Sequence, residues 1–141
     1  MFEASAALVA ESLAPSYNVA PTDPVYVIRN TPDHPRHRTV DVARWGLLPP
    51  WVKDARAGAR MINARAETVQ TSRAYQGPFR SRRCLVPADG WYEWRQPSNG
   101  SPKQAYYVTP CDGEPLAFAG LWQPWGADRV LTTTVLTTRA L

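Results

Sequence analysis

Fourteen prolines and eight glycines are spread through this 141-residue chain, and they punctuate it into short segments. Proline locks φ, removes an amide donor and breaks helix interiors, so short elements are expected between the breaks. Val25 to Arg29, Thr39 to Trp45, Arg83 to Val86, Trp91 to Arg95, Ala105 to Thr109, Pro115 to Leu121 and Val130 to Thr137 read as strands. Asn99-Gly100 and Asp112-Gly113 are turn signals between them. The polar stretch from Asn30 to Arg38 reads as a loop. Trp45 to Trp51, interrupted by Pro49 and Pro50, reads as a rigid irregular segment. Two helices are expected, an amphipathic one over Phe2 to Leu13 and a short one over Ala66 to Tyr75. This pattern predicts an α+β fold: one domain, residues 1–141, built on a curved, mostly antiparallel, barrel-like β-sheet with a few short helices.

An apolar fraction of 44% supports a hydrophobic core, and no apolar run approaches the roughly 20 residues that span a bilayer. The first residues carry Glu3 and Glu11 and no basic cluster, so they do not read as a secretory signal, and a cytoplasmic location is expected. Cys84 and Cys111 are too few for a disulfide framework. With His34 and His37 they form no zinc spacing, so neither a metal nor a cofactor is expected.

The net charge is +4, and fourteen of the sixteen basic residues are arginine. No acid occurs between Glu67 and Asp89, while Arg73, Arg80, Arg82 and Arg83 fall in that gap. Arginine's planar fork suits phosphates and base edges, so the gap reads as a nucleic-acid footprint. An arginine-rich composition that merely solvates a surface explains it equally well.

Three segments set polar groups among aromatic residues: Tyr17 to Thr22, Ile62 to Thr68, and Pro87 to Trp94. In the last, strand alternation places Tyr92 and Trp94 on the face opposite Glu93. A Glu93 turned inward would have a raised pKa and could both donate and accept a proton. A surface glutamate on an amphipathic strand is the alternative.

The order YNVAPT, WGLLPPW, INARAET, PFR, RRCLVPADGWYEW, PLAFAGLW and a final LTT resembles the SRAP family, named for SOS-response-associated peptidase. The resemblance runs from about Tyr17 to the end of the chain. It implies an abasic-site processing protein of the DNA damage response that binds single-stranded DNA. Family members react through a cysteine at the mature N-terminus, whose α-amine forms a Schiff base with the sugar aldehyde. Its thiol then closes a thiazolidine, at the high effective concentration that tethering provides. Carried over by motif, Asn63 orients the reacting end and Glu93 shuttles protons. Arg65 contacts the DNA backbone beside them. Asn18 and Pro21 wall the pocket, Trp51 meets unstacked bases, and Thr137 lies near the sugar. Arg80, Arg82 and Arg83 then read as part of the phosphate-binding surface. The implied partner is single-stranded DNA containing abasic sites, bound by a monomer that is nucleoid-associated when on DNA.

Two features of the family pattern have no counterpart in these residues. The family begins Met-Cys-Gly-Arg where this chain has Met1-Phe2-Glu3-Ala4, and it continues past LTT into a His-x-Arg-Met-Pro segment. An internal cysteine has no free α-amine, so neither Cys84 nor Cys111 supplies the missing group. The expectation is a domain truncated at both ends, through a fragment or a misassigned start, with a degenerate paralogue as the alternative. Three functions follow: covalent capture of abasic sites, non-covalent single-strand binding, and self-processing peptidase activity. No GxSxG, HExxH or Cys/His pairing supports proteolysis of other proteins.

Overall fold

The computed structural model describes residues 4–5, 12–31 and 33–139. Contacts divide the chain into two compact units, Met1–Val86 with Phe118–Leu141, and Pro87–Ala117.

In the first unit the β-branched residues that favour strands are concentrated in residues 24–31, 34–45 and 130–137. The strands β1 (Ala4–Ser5), β2 (Pro24–Thr31), β3 (His34–Trp45), β4 (Asn63–Arg65), β5 (Arg83–Ala88), β8 (Leu116–Trp125) and β9 (Val130–Thr137) form one sheet; β6 and β7 belong to the second unit. The sheet order is β1-β3-β2-β5-β8-β9-β4, and a further β3–β9 pairing closes β3, β2, β5, β8 and β9 into a five-stranded ring. The β2–β3, β2–β5 and β8–β9 pairs are antiparallel. The β1–β3, β3–β9 and β4–β9 pairs are parallel, so the sheet is mixed.

Two clusters fill the unit. Inside the ring, Val27, Ala43, Cys84 and Val86 are buried, with Phe118, Trp122, Leu131 and Val135 packed against them. On the other face of β8 and β9, Leu47, Ala64, Val69 and Leu121 are buried beneath Met61, Tyr75, Phe79 and Leu136. With core on both faces, β9 buries three successive threonines completely. Such hydroxyls need partners. Thr132 Oγ1 donates to the Gln123 carbonyl at 2.8 Å and accepts from Leu48 N–H at 3.0 Å. Thr133 Oγ1 donates to the Leu121 carbonyl at 2.8 Å.

The second unit carries an antiparallel ribbon of β6 (Trp91–Arg95) and β7 (Gln104–Val108). Gly90 enters it where a Cβ would meet the Val108 carbonyl and lie 2.6 Å from Cζ of Tyr107, so only glycine fits.

The α+β barrel-like architecture agrees with the sequence reading, and β6 and β9 have the expected limits. Three local expectations differ. The β2–β3 connection is tighter than a loop from Asn30 to Arg38, because the two strands run on to Thr31 and from His34. Residues 66–75 form successive turns instead of a helix, and the helix α1 spans Gln76–Ser81. Hydroxyl side chains there compete for the backbone, as where Thr71 Oγ1 donates to the Thr68 carbonyl at 3.2 Å. Most of the helix expected over Phe2 to Leu13 lies outside the described residues, and Ala4–Ser5 form a strand.

Candidate nucleic-acid interface

The parallel β4–β9 register sets Asn63 beside Val135, Ala64 beside Leu136 and Arg65 beside Thr137. Ala64 is buried, while Asn63, Arg65 and Thr137 are exposed. Paired residues on a sheet share a face, so Asn63, Arg65 and Thr137 form one polar row at the end of the barrel where β9 has left β3. The row presents an amide, a guanidinium and a hydroxyl, which together suit phosphate and sugar oxygens.

Three motifs are tied together behind this row. Trp45, at the end of β3, donates through Nε1 to the Ile62 carbonyl at 3.0 Å, next to Asn63. Its backbone carbonyl accepts from Thr22 N–H at 2.8 Å, and its N–H donates to Asp23 at 3.0 Å. The segment with exposed Asn18 and Pro21 therefore hangs on the same tryptophan. Gly46 follows with φ +135°, and a Cβ there would collide with the Gly58 carbonyl. This close crossing lets Leu47 N–H reach the Met61 carbonyl at 3.1 Å, which sets the course of the chain into β4. Below the row, the Tyr75 phenol lies 3.5 Å from the Asn63 carbonyl oxygen, and burial raises its pKa.

Glu67, which motif reading did not single out, fastens the row. Its carboxylate accepts from Thr138 Oγ1 at 2.9 Å and from Arg139 N–H at 3.0 Å, fixing the chain just beyond Thr137. Its own backbone N–H, then that of Arg139 and the Thr138 hydroxyl, hold its pKa below the ordinary glutamate value. The signal was present in INARAET, where a carboxylate two residues past Arg65 can reach back to a neighbouring strand.

The remaining candidates separate. Trp51 is 48% exposed, and the Arg73 guanidinium lies 4.7 Å from its ring centroid. Arg73 is thus a neighbour of the aromatic candidate that spacing alone did not reveal. Arg82 turns inward, donating through Nη2 to Gln123 Oε1 at 2.7 Å, and burial lowers its pKa. Arg80 and Arg83 stay exposed. Glu93 belongs to the second unit, where it is exposed and level with Tyr106 on β7. Tyr92 and Trp94 occupy the opposite face of the ribbon, as alternation predicts, but Glu93 is not withdrawn from water.

Neither cysteine is placed as a nucleophile. Cys84 is buried in the ring with its sulfur 3.6 Å from Thr133 Oγ1, and burial pushes its thiol up to about 11. Cys111 is exposed in the second unit. No group of three or more His, Cys, Asp or Glu able to hold a metal occurs among the described residues. No helix among them is long and apolar enough to cross a membrane.

The profile of the family described as SOS response associated peptidase (SRAP) matches residues 1–141. The chain is 39% identical over 127 residues to abasic site processing protein YoaM of Bacillus subtilis, covering 88% of this chain and 54% of that protein. It is 33% identical over 105 residues to abasic site processing protein YedK of Escherichia coli, covering 74% of this chain and 43% of that one. A crystal structure from Bordetella bronchiseptica superposes with a TM-score of 0.75 at 27% identity, over 92% of this chain and 63% of that chain. The chain spans about half the length of the first two curated relatives it matches.

Proposed function

The chain belongs to the SRAP family, and from that premise we propose that it acts in abasic-site processing, with the β4–β9 edge as its seat for single-stranded DNA. The observation that carries this reading is the register that aligns Asn63, Arg65 and Thr137 on one exposed face. In this arrangement Arg65 holds a backbone phosphate, and Thr137 and Asn63 hydrogen-bond the sugar left bare by base loss. Trp51, backed by the Arg73 guanidinium, offers a ring on which a neighbouring base stacks. Glu93 serves as the proton-transfer group of the family's reaction. Covalent capture needs a thiol and a free α-amine on one residue, and Cys84 and Cys111 are internal.

Incubation with single-stranded DNA bearing one abasic site tests this. Salt-sensitive retention is expected, about tenfold weaker in Arg65→Ala, which is the order of one charge-assisted contact. A gel run after heating should show no protein–DNA band. Retention indifferent to salt and to Arg65 would refute the binding edge, and a heat-stable band would refute the assignment of the cysteines.

A further inference from the structure

The second unit holds three pairs in which glycine follows Asp or Asn: Asp89-Gly90, Asn99-Gly100 and Asp112-Gly113. Among the asparagines of the chain, Asn18, Asn30, Asn63 and Asn99, only Asn99 precedes a glycine. A following glycine has no Cβ to crowd the approach of its own amide nitrogen to the asparagine side-chain carbon. The pair sits where β6 returns into β7, and Ser98, Asn99, Gly100 and Ser101 are all exposed. Gly100 has φ +76°, and a Cβ there would meet nothing within 4 Å. Its N–H donates to the Pro97 carbonyl at 3.4 Å, longer than an ordinary N–H···O bond, so the turn holds this nitrogen weakly.

The carbonyl it faces is activated. Asn99 Oδ1 accepts from the Ser101 N–H at 3.1 Å. That donor stands where negative charge collects when a nucleophile adds to Cγ. It is also held in advance, because the Ser101 carbonyl accepts from Gln96 Nε2 at 2.9 Å. Each of the other pairs lacks one part. Asp112 Oδ1 has the same donor, the Glu114 N–H at 3.1 Å, but a carboxylate repels the attacking nitrogen. Gly90 is packed against Tyr107 and the Val108 carbonyl, and the Asp89 carbonyl accepts from Thr109 Oγ1 at 2.7 Å, so that backbone is not free to swing.

We infer that Asn99 is a site of spontaneous covalent modification, at which its side-chain amide is lost to water. Hydroxide removes the Gly100 amide proton, and the nitrogen attacks Asn99 Cγ. The new N–Cγ bond forms as the Cγ–Nδ2 bond breaks, and the amide nitrogen takes a proton from water and leaves as ammonia. The five-membered succinimide then adds one water at either carbonyl and opens to aspartate or isoaspartate. Aspartate adds a negative charge to a unit in which Asp89, Glu93, Asp112 and Glu114 already outnumber Arg95 and Lys103. Isoaspartate runs the backbone through one extra carbon, so the turn from Pro97 to Gly100 no longer closes, and the end of the β6–β7 ribbon loosens.

The test incubates the full chain, folded, in mildly alkaline buffer and follows each asparagine-containing peptide by mass spectrometry, with fragment ions separating the two acid isomers. Asn99 should convert first, ahead of Asn18, Asn30 and Asn63, to both isomers and faster as the pH rises. Ser101→Pro keeps Asn99-Gly100 but removes the donor N–H, and should slow conversion about fivefold, the order of one hydrogen bond. Gln96→Ala should act in the same direction more weakly. Gly100→Ala should slow it about tenfold by misplacing the attacking nitrogen. Circular dichroism confirms that each variant is folded. An Asn99 that stays intact in the folded chain while a free Pro-Ser-Asn-Gly-Ser peptide converts would overturn the site, as would earlier conversion of another asparagine. Parent-like rates in both Ser101→Pro and Gln96→Ala would overturn the activation of the carbonyl by the turn.

Discussion

The barrel strand β9 and the ribbon strand β6 are built from similar alternating β-formers, yet their surroundings are opposite. From Thr132 to Thr134, β9 is fully buried, and the hydroxyls of Thr132 and Thr133 work as internal hydrogen-bonding groups. Every residue of β6 is exposed, with Trp91, Tyr92 and Trp94 from 40% to 62% accessible. A two-stranded ribbon is at best marginally stable alone, because pairing on one side leaves both faces to water. Contacts such as the tilted Tyr92–Tyr107 pair, with centroids 5.2 Å apart, hold it locally. Polar residues at the centre of a fold and aromatic residues outside it invert the usual distribution. Position in the sheet, and not residue type, sets what each side chain contributes.

The sharpest way to break this comparison is to truncate one large side chain in each region. Leu121 is fully buried, so Leu121→Ala should cost about 2–5 kcal/mol through lost burial and a residual cavity. Trp94, 62% exposed, should cost no more than about 0.5 kcal/mol as Trp94→Ala, in spite of its larger size. Urea midpoints with unchanged slopes measure both. Comparable losses would mean that the ribbon is part of the cooperative core. Next in size is Gly90→Ala, whose methyl group has no room beside Tyr107 and Val108. Overpacking of about 1–3 kcal/mol is expected, confined to the ribbon. Amide exchange should quicken at Trp91–Arg95 and stay unchanged in β9, and uniform quickening would erase the distinction.

How far this division was legible in the sequence depends on what defines each element. The limits of β6 and β9 could be read because local signals bound them, Gly90 before Trp91 and the turn at Gly126 before Val130. Strand β4 could not. Asn63, Ala64 and Arg65 carry little strand propensity and are extended because β9, some seventy residues away, pairs with them. The same long-range pairing creates the row with Thr137, so motif resemblance could name its members but not their alignment. The arginine run was legible as charge only. Nothing in its spacing shows that Arg82 turns in to Gln123 while Arg80 and Arg83 face out. Glu93 shows the converse: alternation settled its face but not its exposure, which depends on what lies over the ribbon.

Within the barrel, Thr133→Val sharpens the comparison by removing one hydroxyl and almost no volume. The Leu121 carbonyl loses its side-chain donor and the Cys84 sulfur its oxygen neighbour, at a cost of about 1 kcal/mol in the urea midpoint. No loss at all would mean that the buried threonines are tolerated and not used. The two cysteines probe the same contrast without altering the fold. Burial raises the Cys84 thiol, so its neutral form is favoured in the folded chain, and that preference fades as the pH rises from the ordinary thiol value towards about 11. At pH 8 a thiol reagent should therefore label exposed Cys111 and spare Cys84 until denaturant is added. Equal labelling rates would contradict the closed ring.

The smallest effect is expected where the barrel most resembles the ribbon, at its exposed rim. There Glu67 carries structure through polar contacts open to water, to Thr138 Oγ1 and Arg139 N–H. Its pKa is lowered in the folded chain by its own backbone N–H, that of Arg139 and the Thr138 hydroxyl. A carboxylate of this kind favours folding at any pH above its unfolded value, and the contribution disappears as the pH falls through the folded value. Acidification from the ordinary glutamate range downward should thus release residues 138–139 while the buried threonines of β9 stay protected. Exchange at the Arg139 amide, corrected for its intrinsic pH dependence, should rise over that window and level off below it. Glu67→Gln should abolish the window, because an amide oxygen still accepts but carries no titrating charge. A release that persists in Glu67→Gln would place the titrating group elsewhere, and simultaneous release of β9 would show that rim and core open together.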